Sequence, residues 1–181
     1  MVKIFISNLE QWDKTLCLKF FSPNPRQIMR YFMHVFSKLG DGPLYGWLCL
    51  LIIIVDRTTG IKLIISALPA FALEIIIQKG VKHLIKRPRP CHVLPEIVNR
   101  IQPPDDFSFP SGHTAGGFLM AVLISYFFPV LAIPCFILAS LIGISRIYNG
   151  VHYPGDVLAG MVLGILCAQL SIKILFSAGL L

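Results

Sequence analysis

Long apolar runs alternate with short charged breaks along most of the chain. Gly42 to Val55 holds no Asp, Glu, Lys or Arg, and Asp56-Arg57 closes the run. A second run extends from Gly60 to about Ile85, with Pro69 as a candidate kink and Glu74 inside it. Phe107 to Ser145 is again free of those four residue types. That stretch suffices for two helices, broken near Pro129 to Pro134. A final run goes from Asp156 to about Ile172. A membrane-spanning helix needs about 20 apolar residues. The first run is short by this criterion, but Tyr45 and Trp47 can sit in the interface and extend it. The pattern predicts an all-α polytopic membrane bundle of five spans.

A sixth span depends on residues 26–39. There Arg26, Arg30, His34 and Lys38 recur every fourth residue, opposite Ile28, Met29, Phe32, Phe36 and Leu39. A polar stripe facing an apolar stripe favours a helix lying in the interface over a full span. Leu9 to Phe21 reads as another short amphipathic helix, ended by Ser22-Pro23-Asn24-Pro25. No signal peptide is expected, since Glu10, Asp13, Lys14 and Lys19 interrupt any apolar core. The expected organisation is one membrane-embedded unit over 1–181: N-terminal interfacial helices over 1–39, then a bundle over 40–176. No repeat or low-complexity tract is visible.

Composition agrees. Hydrophobic residues make up 55% of the chain and charged residues 14%, against about 25% charged in soluble domains. The net charge of +7 fits anionic headgroups, an anionic substrate, or both. Nucleic acid is not an expected partner, because the basic residues flank apolar segments instead of forming a soluble face. The five cysteines include no CxxC pair. They argue against a disulfide framework or zinc site, and Cys49, Cys135 and Cys167 read as small hydrophobes.

Hairpin logic brings distant polar residues together. The proline-rich loop 87–112 follows the second span, and the loop 146–155 follows the fourth, so both lie on one side of the membrane. Ionisable groups retained beside apolar helices suggest a function, and here they fall into three patterns. The first is Lys82-x6-Arg89-Pro90, where a mobile ammonium and a planar guanidinium suit a phosphoryl group held from two directions. Taken alone, this pattern is better explained by simple anchoring at a membrane end, and Lys86 and Arg87 are assigned to anchoring.

The second pattern is Pro110-Ser111-Gly112-His113, opening a helix. Ser111 suits an N-cap, Gly112 permits close backbone approach, and free amides at a helix start bind anions. His113 is placed to protonate a leaving oxygen, unless it is an ordinary interfacial histidine. The third is Ser145-Arg146-x5-His152-x3-Asp156. Pro154 and Gly155 put the histidine on a loop end and the aspartate in a first helical turn. A carboxylate on one ring nitrogen fixes the tautomer and leaves the other nitrogen as a nucleophile. Asp156 also suits an N-cap, and His152 a structural loop position. Asp105 and Asp106 read as loop capping or local charge balance, and Glu74 as a carboxylate hydrogen-bonded within the bundle. No metal site is expected: HxxxH and HExxH spacings are absent, and the basic surroundings repel divalent cations.

Together, in this order, the three patterns resemble the type 2 phosphatidic acid phosphatase superfamily, which contains membrane lipid phosphatases and soluble vanadium haloperoxidases. The resemblance covers about residues 40–175. It implies His152 as nucleophile, Asp156 as its orienting carboxylate and His113 as general acid. It implies a phosphate cradle of Lys82, Arg89, Ser111, Gly112 and Arg146, with no metal or other cofactor. The implied partners are a lipid phosphate and the surrounding membrane lipids. Undecaprenyl pyrophosphate leads the candidate substrates, followed by phosphatidylglycerophosphate, phosphatidate and lipid A 1-phosphate. The implied location is a bacterial inner membrane with the site facing the periplasm, although the charge bias alone argues for the cytoplasmic side. A catalytically silent lipid-binding scaffold is the rival reading. A small transporter fits less well, because the polar groups gather at one membrane face instead of mid-bilayer. Oligomeric state is not legible.

Overall fold

The chain, described by a computed structural model, is placed at residues 2–21, 25–103 and 105–181, with side chains from residue 10 onward. It forms eight α-helices among the described residues: α1 (Val2–Phe20), α2 (Gln27–Leu39), α3 (Gly42–Val55), α4 (Arg57–Ile85), α5 (Pro90–Val93), α6 (Gly112–Phe127), α7 (Ala132–Tyr148) and α8 (Pro154–Ser177). The breaker at Ser22 to Asn24 lies outside the described residues.

Local chemistry sets the boundaries. Pro43 and Pro154 occupy first helical turns, where their missing N–H groups cost nothing. Asp56 caps α4 by accepting from the Thr59 N–H at 3.0 Å. Pro69 lies inside α4 without ending it. Lys86 closes α4 in the left-handed region at φ 50° and turns the chain into the 87–89 segment. A turn at Pro129–Leu131 separates α6 from α7, at the break read from sequence.

Helix α6 is the axis of the bundle and packs against α4, α7 and α8. Small residues make this possible. A Cβ on Gly160 or Gly164 of α8 would collide with the backbone of Ser111 or of Ala115. Gly160 and Gly164 form a G-x-x-x-G pair, the spacing that allows membrane helices close backbone contact. Leu63, Ala67, Ala70, Leu119, Leu123, Cys167 and Ala168 fill the main core. Leu68, Ile76, Ile133, Leu158, Leu166 and Ile174 point outward with 57–74% of their surface exposed. An apolar exterior of this extent belongs against lipid, and the chain is an integral membrane protein.

The five apolar helices expected from sequence are α3, α4, α6, α7 and α8. By length and apolarity, α4, α8 and the Pro129–Tyr148 segment suffice individually to cross a membrane. Helices α2 and α3 pass the same test only jointly, and they bend by 67° at the break between them. Helix α6 has 16 residues and falls short of the length. The polar stripe of α2 is exposed at Arg26, Arg30, His34 and Lys38, as expected. Glu74 is 3% exposed, but its Oε1 has no hydrogen-bond partner, so the expected bonded carboxylate is not found at that oxygen.

Candidate active site

Both polar loops lie at one end of the bundle. The Arg100 N–H donates to the Asn149 carbonyl at 3.1 Å, and the Ser111 N–H to the Asp156 carbonyl at 3.0 Å. Arg89 Nη1 donates to the Val151 carbonyl at 2.8 Å. The three sequence patterns are thus bonded to one another.

His152 sits on the loop before α8 and is 2% exposed. Its Nδ1 faces Asp156 Oδ2 across 3.5 Å, an ion-pair distance too long for a formed hydrogen bond. Its Nε2 lies 3.3 Å from Arg89 Nη1. A guanidinium can only donate, so Nε2 carries the lone pair and the proton sits on Nδ1, towards the carboxylate. Burial first, and then the Arg146 and Arg89 charges, push the imidazole pKa down to about 3 against the pull of Asp156. At neutral pH the ring is neutral and Nε2 is a free base.

Asp156 is fully buried and is held by more than its histidine. Its Oδ2 accepts from the Tyr153 N–H at 2.8 Å, and its Oδ1 from Arg87 Nη1 at 2.6 Å. The residue occupies the third position of α8, and Tyr153 is the N-cap. The reading of Asp156 as N-cap is corrected accordingly: Pro154 and Gly155 start the helix two residues earlier.

Lys82, on the last turn of α4, and Arg89, in the loop beyond, converge on Asp105. Lys82 Nζ meets Asp105 Oδ2 at 2.6 Å, and Arg89 Nη2 meets Oδ1 at 2.7 Å. Arg89 Nε also donates to the Asp105 carbonyl at 2.9 Å. Burial opposes ionisation of Asp105, but hydrogen bonds and charge from Lys82 and Arg89 hold its carboxyl below the usual carboxylate range. Of the two readings of Asp105, loop capping and local charge balance, these ion pairs bear out charge balance. The Asp105 carboxylate lies between the two cations expected to grip a phosphoryl group.

Ser111 begins α6 fully buried, but its hydroxyl accepts from Thr114 Oγ1 at 2.9 Å and caps no backbone N–H. A Cβ on Gly112 would meet the amide end of the Gln78 side chain, which would have to shift. His113 Nε2 bonds Asp41 Oδ1 at 2.9 Å. His113 and Arg146 line a cavity of about 270 Å³ with His34, Ser37, Lys38, Asp41, Ile101 and Gln102. Arg146 is 2% exposed; it donates Nη1 to Ser37 Oγ, whereas its Nε and Nη2 have no partner. Buried guanidinium donors left unpaired mark a place for an anion. Among the described residues no three His, Cys, Asp or Glu side chains could hold a metal ion together.

Sequence reasoning missed four contributors. Arg87, assigned to membrane anchoring, clamps Asp156 instead. Asp13 of α1 grips the second arm of Arg87 through its Nη2 at 2.6 Å. Ser37 and Asp41 hold Arg146 and His113. Only the pairing of Arg87 with Arg89 around Pro88 offered a signal; the others pair across too many residues to be seen.

A buried histidine–carboxylate pair beside guanidinium and ammonium groups thus lies at one end of a helical membrane scaffold. Residues 63–179 match the family model of the PAP2 superfamily, and the chain belongs to that superfamily. It is 41% identical over 113 residues to the bacitracin transport permease protein BcrC of Bacillus licheniformis, covering 62% of this chain and 56% of that protein. It is 32% identical over 144 residues to an undecaprenyl-diphosphatase of Sulfolobus acidocaldarius, covering 76% of this chain and 66% of that one. The chain thus spans less than two thirds of either relative's length. The crystal structure of Aquifex aeolicus LpxE superposes with a TM-score of 0.72 at 32% identity, over 82% of this chain and 88% of that one. A transmembrane PAP2-type phosphatidylglycerolphosphate phosphatase from Bacillus subtilis superposes at 0.74, over 92% and 86% of the two chains; at 24% identity it speaks to the fold alone.

Proposed function

We propose that the chain hydrolyses a phosphomonoester or diphosphate on a membrane lipid, through a phosphohistidine formed on His152. The observation that carries this reading is the neutral, buried His152, with Nδ1 towards Asp156 and its basic Nε2 beside Arg89. The lone pair of Nε2 attacks phosphorus as the bond to the leaving oxygen breaks. Asp156 stabilises the charge that develops on the imidazole. Lys82, Arg89 and Arg146, with the Ser111 and Gly112 segment, bind the phosphoryl oxygens and stabilise the transition state. His113 protonates the leaving oxygen, and water then releases phosphate from the histidine. General acid catalysis of this kind contributes about 10²–10⁴-fold.

The site lies at a membrane face, where a lipid headgroup presents its phosphate. The likeness to the Sulfolobus undecaprenyl-diphosphatase favours undecaprenyl diphosphate as substrate, with glycerolipid phosphates as the second candidate. The proposed location is a bacterial cytoplasmic membrane with the site on the periplasmic side. Labelling of Glu96→Cys and Asp106→Cys by an impermeant thiol reagent in intact cells tests the side, since both positions are exposed.

The decisive experiment measures phosphate release by purified protein from a panel of lipid mono- and diphosphates. The wild-type chain releases phosphate from at least one, and His152→Ala abolishes release while leaving lipid binding intact. Equal turnover by the variant removes the nucleophile assignment. Binding without turnover by the wild-type protein favours a silent scaffold.

A further inference from the structure

We infer that Arg87 and Asp13 are positioning residues for catalysis, a further inference that rests on the phosphohistidine reading above. Arg87 lies inside the six-residue spacer between Lys82 and Arg89, and its side chain contacts Asp156, Asp13 and Tyr153. Its two arms engage two carboxylates: Nη1 meets Asp156 Oδ1 and Nη2 meets Asp13 Oδ2, each at 2.6 Å. The guanidinium also stacks on the Tyr153 ring, with Cζ 4.0 Å from the ring centroid. Asp13 in turn accepts from the Gly155 N–H at 2.7 Å. Helix α1, the 86–89 turn and the first turn of α8 are thereby fixed around one carboxylate.

The geometry gives this clamp a catalytic consequence. Asp156 has two oxygens. Arg87 holds Oδ1, which leaves Oδ2 directed at the Tyr153 N–H and at His152. The carboxylate rotates about a single bond, so fixing one oxygen fixes the other. Without Arg87, a fully buried carboxylate keeps a single hydrogen bond and no adjacent countercharge. A group in that condition takes up a proton or reorients. Either outcome removes the anion that faces Nδ1 and supports the imidazole during attack.

Arg87 also holds its own place through backbone pairing. The Ser108 N–H donates to the Arg87 carbonyl at 2.9 Å, which ties the turn to the segment leading into α6. Asp13 is 11% exposed at its side chain and Arg87 15%, so neither is a loose surface ion pair. Pairs this enclosed resist screening by salt, unlike exposed ones. Asp13 precedes the family match at residues 63–179, so this bond makes the amphipathic first helix part of the catalytic unit.

The test is steady-state kinetics of the full chain on whichever lipid phosphate the wild-type protein hydrolyses, with Arg87→Gln, Arg87→Lys, Asp13→Asn, Asp156→Asn and Arg87→Gln/Asp156→Asn. Arg87→Gln lowers kcat by about 10–100-fold with KM within about twofold, because the phosphate cradle is untouched. Arg87→Lys restores part of the loss, and Asp13→Asn lowers kcat by roughly tenfold or less. Adding Arg87→Gln to Asp156→Asn causes no further loss, since Arg87 acts through Asp156. An additive further drop in the double variant, or a raised KM with unchanged kcat, overturns the inference. Should Arg87→Gln fail to yield folded protein, Asp13→Asn alone decides: wild-type kcat in that variant overturns the inference. Absence of turnover in the wild-type protein instead overturns the phosphatase reading itself.

Discussion

Replacing Gly164 with alanine tests whether the close contact of α8 with α6 aligns the two catalytic segments. The added Cβ would stand 2.9 Å from the Ala115 carbonyl carbon and 3.0 Å from the Leu119 nitrogen, where ordinary contact begins at 3.4 Å. The Ala115 carbonyl oxygen is closer still. All three atoms are backbone, so no side chain can swing aside and the helices must separate. Overpacking of this kind costs about 1–3 kcal/mol, and a rigid obstacle puts the cost near the upper end. For a chain of this size, about 3 kcal/mol lowers Tm by roughly 6–12 °C. The separation also reaches the site, because the Ser111 N–H bonds the Asp156 carbonyl across the same interface. A 1 Å displacement of reacting groups can cost about 10²-fold in rate. Gly80→Ala is the control: nothing lies within 4 Å of its Cβ position in α4. There alanine should stabilise by about 0.5–1 kcal/mol through helix propensity. Thermal unfolding in detergent and phosphate release are measured on both variants. If Gly164→Ala melts with the wild-type protein and keeps its turnover, the alignment argument fails.

Two further expectations concern charge. Asp105→Asn removes the carboxylate between Lys82 and Arg89 and should tighten inhibition by inorganic phosphate several-fold; the effect is modest because Asp105 is 40% exposed. Unchanged or weaker inhibition, read from a phosphate titration, contradicts it. The buried His152, with a folded pKa near 3, binds fewer protons than the unfolded chain between that value and its ordinary 6.5. Its contribution to stability is therefore complete above about 6.5 and is lost as pH falls towards 3. The Tm advantage of wild-type protein over His152→Asn should shrink steadily across that window; an advantage that grows on acidification refutes the neutral-histidine assignment.

The bundle was legible because its determinants are local. Charge-free runs and their breaks at Asp56-Arg57, Pro129 and Pro154 mark helices whether or not their partners are known. Family resemblance named the site residues, and hairpin logic placed the two loops at one end. Lengths were less legible: a 16-residue α6 reads as a span until its neighbours show it buried among other helices. Gly160 and Gly164 stood in the sequence at a recognised spacing, but only the approach of the α6 backbone gives that spacing meaning. Arg87 looked like an anchor because its partners, Asp13 and Asp156, are 74 and 69 residues away. Asp105 was readable as a loop cap or a local charge balance, but the two cations it balances, Lys82 and Arg89, are visible only after folding.

Charge counting at the site assigns different work to its carboxylates. Lys82, Arg87, Arg89 and Arg146 are all enclosed, and enclosed cations need compensation when no substrate is bound. Asp13, Asp41, Asp105 and Asp156 supply four negative charges around them. A substrate phosphate brings more negative charge and must displace some of what is there. Asp156 and Asp13 are 0% and 11% exposed and are held by backbone N–H groups as well as by Arg87. Asp105 and Asp41 are 40% and 51% exposed. On the proposed phosphatase reading, the exposed pair is the one expected to yield to phosphate and the buried pair the one expected to stay. Substitutions at Asp105 should therefore act on KM and phosphate inhibition, and those at Asp13 on kcat. Two aspartates that each bond a cation at 2.6 Å are separated functionally by their burial, not by the strength of their ion pairs.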